Sequence, residues 1–283
     1  MVPPVTPWLD GLLPAAGLSP AQSKVFEAVR GDHQFASFAE VAAIAARAGV
    51  DNSTVVRCAQ TLGFKGWPAL QHEVRARYLA TLSNEQTLDV HPSSEGSLLQ
   101  QTVRRDIRNL EQALETVDED VLAAAVKTLA HASRTLVLAT GSLSAPATVL
   151  AHLGTTMGYD IHHEPRGGAH LAAAVNRLTA ADALVVLNVW RPMSDLLAAV
   201  RIARSTGCPV VAMTDMYSGA LAAAADHVLV LPSEGVSFFQ STTAATSVGY
   251  ALLAGLEAER PEITRPAIRR IQELWNGLGT YTD

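Results

Sequence analysis

The sequence predicts an α/β protein: an amino-terminal all-α unit followed by a three-layer α/β/α domain built on a parallel sheet. Three observations carry that expectation. Between Pro20 and Leu82 apolar residues recur at helical spacing. From Thr135 onward, short apolar runs alternate with helical stretches, the order that puts helices on both faces of a parallel sheet. Between the two regions, residues 83–97 are polar and broken by Pro92, Gly96 and serines, as a linker is. The expected divisions are 1–82, a linker at 83–97, and 98–283.

Residues 1–17, punctuated by Pro and Gly, are expected to be irregular. Ser19-Pro20-Ala21 sets a capping hydroxyl before a proline at the first helical position and starts a helix to about Arg30, with Val25, Phe26 and Val29 buried. Ser37 is read as the cap of the next helix, whose Phe38, Val41 and Ile44 face inward. A tight turn at Gly49, with Val50 as the buried hinge residue, leads into a short helix from Asp51 to Leu62, capped by Asp51 or Asn52. A fourth helix, Ala69 to about Leu82, turns Leu70, Val74 and Tyr78 inward and its arginines outward, completing a compact four-helix unit. After the linker, 97–116 and 118–131 read as helices. The first bears an apolar stripe of Leu98, Leu99, Val103, Ile107, Leu110 and Leu114, suited to packing on a partner subunit. Strands are expected at Thr135–Ala139, Tyr159–His163, Ala183–Leu187, Pro209–Met213 and His227–Leu231, with helices at Ala145–Met157, Ala169–Leu178, Asp195–Ser205 and Gly219–Ala225.

The two short helices about Gly49 have the length and chemistry to address a DNA major groove. The second is tipped with Asn52, Ser53 and Thr54 and carries Arg57 one turn later. The net charge of −6 counts at first against a nucleic-acid partner, but it is unevenly spread. Residues 1–80 hold seven Lys/Arg against six Asp/Glu; the remainder holds fourteen against twenty-one. Arg57, Lys65, Arg75 and Arg77 against Asp51 and Glu73 make a modest basic face. One copy is therefore expected to bind DNA weakly, and a dimer on a palindromic site to bind well. The DNA-contacting candidates are Asn52, Ser53, Thr54, Arg57 and Lys65.

With 48% hydrophobic and 17% charged residues, the 283-residue chain is expected to fold as packed domains. The first ten residues lack the basic start and apolar core of a secretion signal, and no unbroken apolar run approaches membrane-spanning length. Cys58 and Cys208 stand far apart. A cytoplasmic protein without a disulfide framework or cysteine-bound zinc follows.

Ligands of parallel α/β sheets bind at the carboxyl ends of the strands. The first such loop, Thr140-Gly141-Ser142-Leu143-Ser144, combines a turn glycine and hydroxyls with the free amides of a helix start, an anion site suited to phosphate. Ser144 reads equally as a helix cap. The second, Asn188-Val189-Trp190-Arg191-Pro192-Met193-Ser194, offers a guanidinium and an indole to an anionic or sugar-like ligand. The alternative is that Trp190 packs a subunit interface and Arg191 is a solvated charge. Ser237 either donates to a ligand or caps the last helix of the sheet domain. The expected ligand-binding set is Ser142, Ser144, Asn188, Arg191, Ser194 and Ser237. His162, His163, Glu164 and His170 crowd together, but adjacent strand residues point to opposite faces, so no metal site is expected. No dinucleotide or ATP fingerprint occurs and no triad can be argued from spacing, so neither cofactor nor catalytic residue is assigned.

Gly49-Val50 through Thr54-Val55-Val56-Arg57, Leu62-Gly63-Phe64-Lys65-Gly66-Trp67, Val211-Ala212-Met213-Thr214-Asp215, and Ala224 with Asp226-His227-Val228-Leu229 follow in that order in one chain. This pattern resembles the RpiR family of bacterial transcriptional regulators over about Ser19 to Leu256: a helix-turn-helix domain followed by a sugar isomerase (SIS) domain. The resemblance implies a repressor or activator rather than an enzyme. It would bind a double-stranded DNA operator as a homodimer or tetramer and be tuned by a small anionic metabolite such as a sugar phosphate. It implies that Asn52, Ser53 and Arg57 face DNA, with Thr54 and Val55 serving packing and phosphate positioning, and that Ser142 and Ser144 belong to the first ligand loop. The chain departs from the family's second loop, Ser-x-Ser-Gly-x-Thr. Both serines and the threonine are missing from Asn188–Met193, Arg191 stands where the glycine would, and Ser194 comes one place late. Arg191 then meets a carboxylate or a differently placed phosphate, or the pocket serves dimer packing alone. The alternative of another class is a sugar-phosphate isomerase or deglycase, whose base would be Glu164, His170 or Glu234.

Overall fold

The computed structural model describes residues 4–89, 96–191, 193–217 and 219–280. Residues 90–95 of the expected linker, including Pro92, lie outside the described residues, as do Pro192 and Ser218 of the strand-end loops. The amino-terminal unit contains α1 (Val5–Asp10), α2 (Pro20–Gly31), α3 (His33–Phe38), α4 (Val41–Ala48), α5 (Asn52–Thr61) and α6 (Trp67–Thr81). Ser19 and Gln22 close a capping box at the start of α2. Gly49, at φ 63°, ends α4 in the left-handed region, which costs a glycine little, and its amide donates to the carbonyls of Ala45 and Ala46. Asp51 then caps α5 by accepting from the Thr54 amide at 2.7 Å. Val25, Phe26, Ile44, Val55, Trp67, Leu70 and Val74 form the core of this unit.

Three expectations are corrected here. Residues 1–17 are not irregular throughout, since α1 buries Val5 and Leu9. Ser37 does not cap α4: it lies inside α3, where its hydroxyl donates to the His33 carbonyl at 2.6 Å. Asp32 caps α3 by accepting from Phe35 N–H at 2.9 Å, so a helix begins five residues earlier and breaks at Ala39 and Glu40. The arginines of α6 do not point outward. Arg77 is fully buried against Glu73 at 2.8 Å, and Arg75 is only 14% exposed, because the sheet domain covers the other side of this helix. The basic face expected from Arg75 and Arg77 is thereby lost to the interior.

Beyond α6 come α7 (Asn84–Asp89), inside the expected linker, then α8 (Leu98–Thr116) and α9 (Glu119–His131). The sheet domain continues as β1 (Thr135–Leu138), α10 (Ser144–Thr156), β2 (Ile161–Glu164), α11 (Gly168–Val175), β3 (Ala183–Asn188), α12 (Ser194–Ser205), β4 (Val210–Thr214), β5 (His227–Val230), α13 (Thr243–Glu259) and α14 (Pro261–Leu278). The helix expected at Gly219–Ala225 is a single 3₁₀ turn, Ala222–Ala224, and α14 was not foreseen. All strands are parallel, in the order β2-β1-β3-β4-β5. Val137, Val185 and Val211 face α9, α10 and α13, whereas Leu136, Leu184 and Val210 face α11 and α12. Burial on both faces explains why these strands read as continuous apolar runs. The order reverses between β1 and β3, which opens a crevice at their carboxyl ends.

Candidate DNA-contacting helix and strand-end pocket

Helix α5 buries Val55, Cys58 and Ala59 and leaves Asn52, Ser53 and Arg57 exposed. Gln22 of α2 anchors it, donating to Thr61 Oγ1 at 2.8 Å and to the Arg57 carbonyl at 3.3 Å. Asp51 accepts from the Ser53 hydroxyl at 2.6 Å as well as from the Thr54 amide, and these bonds, the hydroxyl first, hold its carboxyl below the usual range. Thr54 is buried, and its hydroxyl accepts from Arg57 Nη2 at 2.9 Å. Thr54 thus orients Arg57 from beneath the exposed face. Lys65 is exposed, with its ammonium 3.3 Å from Asp118, the cap of α9, in a surface ion pair between the two units.

At the β1/β3 crevice a cavity of about 430 Å³ is lined by Gly141 and Ser142 of the first loop, Asn188, Trp190, Arg191 and Met193 of the second, and Phe238–Gln240. Three of the six expected ligand residues, Ser142, Asn188 and Arg191, are brought together here. Ser144 turns back to donate to the Ala139 carbonyl at 3.2 Å and does not cap α10 with its side chain. Ser194 begins α12 at the surface. Ser237 lies in an adjoining hollow of about 260 Å³ with Arg105 and Asp106.

The second loop braces itself. Asn188 donates to the Arg191 carbonyl at 3.2 Å, and the Arg191 guanidinium sits 4.8 Å from the Trp190 ring centroid. Trp190 adopts φ 68°, a left-handed conformation that costs a non-glycine residue about 1–3 kcal/mol unless its surroundings over-determine it. They do so here. Its amide donates to Asp215 Oδ2 at 2.7 Å, its indole N–H donates to the Leu79 carbonyl at 3.0 Å, and Phe238 packs edge-on at 5.2 Å. Arg191 also donates to the Leu82 carbonyl. Leu79 and Leu82 belong to the end of α6, so the pocket loop is fastened to the helical unit.

That docking is the feature sequence reasoning missed. His72 Nε2–H donates to the Asp215 carbonyl at 2.8 Å, and the Tyr217 amide donates to Glu73 Oε2 at 2.6 Å. Arg75 of α6 and Arg105 of α8 both pair with the carboxylate of Glu234. Burial pushes the Asp215 carboxyl up to about 7 and the His72 imidazole down to about 4, with nearby Arg75 adding to the latter. A signal was available: Leu70, Glu73, Val74 and Arg77 share one helical face, so two opposite charges stand within an apolar stripe.

Of the residues considered for catalysis, Glu164 is held by Arg166 at 2.8 Å, whose hydrogen bond, against the opposing effect of burial, draws its carboxyl down to about 2. Of the residues weighed for a metal, His163 is bonded to the Ala139 carbonyl and Thr148 hydroxyl, each at 3.1 Å. Among the described residues no group of three or more His, Cys, Asp or Glu side chains is arranged to hold a metal ion.

Residues 14–81 match the model of a helix-turn-helix domain of the rpiR family, and residues 128–255 match that of a SIS domain. The chain is 24% identical over 221 residues to an uncharacterized HTH-type transcriptional regulator from Haemophilus influenzae, covering 75% of each protein. The sugar isomerase domain of an RpiR transcription factor from Sphaerobacter thermophilus is similar at 30% identity and TM-score 0.61, covering 63% of this chain and 99% of that one. The Vibrio vulnificus NanR protein, complexed with ManNAc-6P, shares the fold over 97% of this chain and 98% of its own, at TM-score 0.61 and 17% identity.

Proposed function

Because the chain belongs to the rpiR family of helix-turn-helix transcriptional regulators, we propose that α5 is its DNA-reading helix and that the strand-end cavity holds the small anion that controls it. The observation that carries the first half is the outward face of α5, where Asn52, Ser53 and Arg57 stand free of the core while Thr54 and Asp51 steady the guanidinium from below. Such a tip suits base-edge and phosphate contacts in a major groove. Lys65 acts in this reading as an interdomain tie. The domain organisation proposed is 1–82 for DNA, 83–97 as connector and 98–283 for effector and subunit contacts.

The cavity's cation and hydroxyl, Arg191 and Ser142, suit a phosphorylated or carboxylated metabolite, and NanR with its ManNAc-6P supplies a precedent for a phosphosugar. An occupant touching Trp190 or Arg191 meets the same side chains that hold Leu79 and Leu82. Effector binding would then bias the placement of α6, provided its affinity differs between the two arrangements. Catalysis is not part of this reading: Glu164 and Glu234 are both neutralised by arginines and neither is a poised base. The proposed assembly is a homodimer, or a tetramer made of two such dimers, joined through the exposed apolar stripe of α8, in which Leu98, Leu99 and Leu114 are 76%, 73% and 87% exposed. Among the described residues no helix is long and apolar enough to cross a membrane. The proposed place of work is the cytoplasm.

The test is fluorescence anisotropy of the full chain with its own upstream DNA and a scrambled duplex at physiological salt. Arg57→Ala should cost about 1–3 kcal/mol of selective binding if Arg57 reads a base. Equal binding of both duplexes by the wild type, unchanged in the variant, overturns the assignment of α5.

A further inference from the structure

Glu234 is an acid held in an unusual place. It follows the carboxyl end of β5, is 13% exposed, and receives guanidinium groups from two different helices: Arg75 from the DNA-binding unit and Arg105 from α8. Its backbone carbonyl is fixed by Asn109 Nδ2 at 2.8 Å, so the side chain is aimed rather than free. The arginines exceed the carboxylate in charge. Arg75 is pushed down to about 9 by burial and by the neighbouring Arg105 and Arg108, and Arg105 Nε is buried without a hydrogen-bond partner among the described residues. Asp106 lines the same hollow as Arg105, but its two oxygens are taken up as acceptors, from Ser241 Oγ at 2.6 Å and Thr243 Oγ1 at 2.8 Å. Asp215, which also lines the space against Arg75, has its carboxylate oxygen engaged by the Trp190 amide.

This cluster adjoins the proposed effector cavity. Trp190 and Gln240 line both the cavity and the small space against Arg75 and Glu234, and Phe239 and Gln240 line both the cavity and the hollow that contains Arg105. The cavity itself lacks the hydroxyl-rich second loop that the family resemblance leads one to expect. Cations for an anionic group are present one side chain away, already engaged by a carboxylate.

We propose that Arg75 and Arg105 are further anion-binding residues of the effector site, beside Arg191 and Ser142, and that Glu234 is an internal placeholder whose carboxylate occupies the position of the effector's phosphate or carboxylate group. The inference rests on the reading of the strand-end cavity as the effector site. Two guanidinium forks match a tetrahedral oxyanion better than a single carboxylate, since phosphate offers more acceptor oxygens and up to twice the charge. An effector that displaces Glu234 bridges α6 and α8 directly, and so acts on the DNA-binding unit through its own anionic group. Specificity for an anionic metabolite then comes from helices outside the sheet, which accounts for the altered second loop.

The experiment titrates inorganic phosphate into the full-length protein at constant ionic strength, with chloride as control, by calorimetry and thermal shift. In Glu234→Gln the internal competitor is gone, and phosphate should bind about tenfold tighter or more than in the wild type, with a larger rise in Tm. Adding Arg105→Gln to that variant should abolish the gain. Glu234→Asp, which withdraws the carboxylate by one methylene but keeps its charge, should fall between and serves if the glutamine variant does not fold. Unchanged phosphate affinity in whichever of these variants folds, or a gain that survives Arg105→Gln, overturns the proposal. The anisotropy assay separates this failure from that of the regulator reading. Intact operator binding with no phosphate gain sinks the placeholder alone, whereas a phosphate gain without operator binding upholds the placeholder and sinks the regulator.

Discussion

Replacing Glu73 by Ala should destabilise the protein by about 3–5 kcal/mol, because it leaves the Arg77 charge buried without its carboxylate. Both side chains of this pair are 0% exposed, one turn apart on α6, at 2.8 Å. Glu73 also accepts the Tyr217 amide at 2.6 Å across the interdomain contact, and an orphaned buried amide costs about 1–3 kcal/mol. The two costs do not add in full, since loosening of α6 from the β4 loop lets water reach both groups. The guanidinium keeps its place 4.4 Å from the Trp8 ring, which offsets little of a lost ion pair. The double variant Glu73→Leu/Arg77→Met removes both charges and fills similar volume. It should lose only about 1–2 kcal/mol, chiefly from the Tyr217 amide. Equilibrium unfolding in guanidinium chloride, followed by far-ultraviolet circular dichroism and tryptophan fluorescence, measures all three proteins. A single variant within about 1 kcal/mol of wild type, or a double variant as unstable as the single, would refute the account of a buried pair that locks α6 in place.

Two further outcomes follow from the same interface and from α8. The raised Asp215 carboxyl gives the native state a proton that the unfolded chain has released, so its stabilising contribution is full below about pH 4 and is lost as pH rises through about 7. The depressed His72 imidazole works the other way: its contribution is present above about 6.5 and is lost as pH falls through about 4. These slopes oppose one another in the wild type. Asp215→Asn should therefore expose the His72 slope, with stability rising by up to roughly 3 kcal/mol between pH 4 and 6.5, read as urea midpoints against pH. A profile parallel to that of the wild type would contradict it. Leu99→Asp with Leu114→Asp should convert the proposed dimer to monomer in sedimentation velocity, since both side chains stand exposed on one stripe of α8; a dimer that survives both changes places the subunit contact elsewhere.

What the sequence determined by itself is local or periodic. Gly49, Asp51 and the exposed tip of α5 are legible because a left-handed turn and a helix cap are set by neighbouring residues. The five strands are legible because burial on both faces leaves an apolar run bounded by turns. The crevice loops follow from parallel connectivity. The tertiary structure alone decided what covers each face. Periodicity shows that one side of α6 is buried by its own unit, but not that the sheet domain would cover the other and enclose Arg75 and Arg77. Lys65 reads as a groove cation, and only the fold shows that Asp118 lies 3.3 Å from its ammonium. Trp190 reads as a ligand-stacking ring, with subunit packing as the alternative, until the Leu79 carbonyl, from a helix far back in the chain, takes its indole hydrogen. The physical reason is common to all three: the preferred place of a charge or a polar hydrogen depends on its partner, and only the folded chain brings that partner within reach.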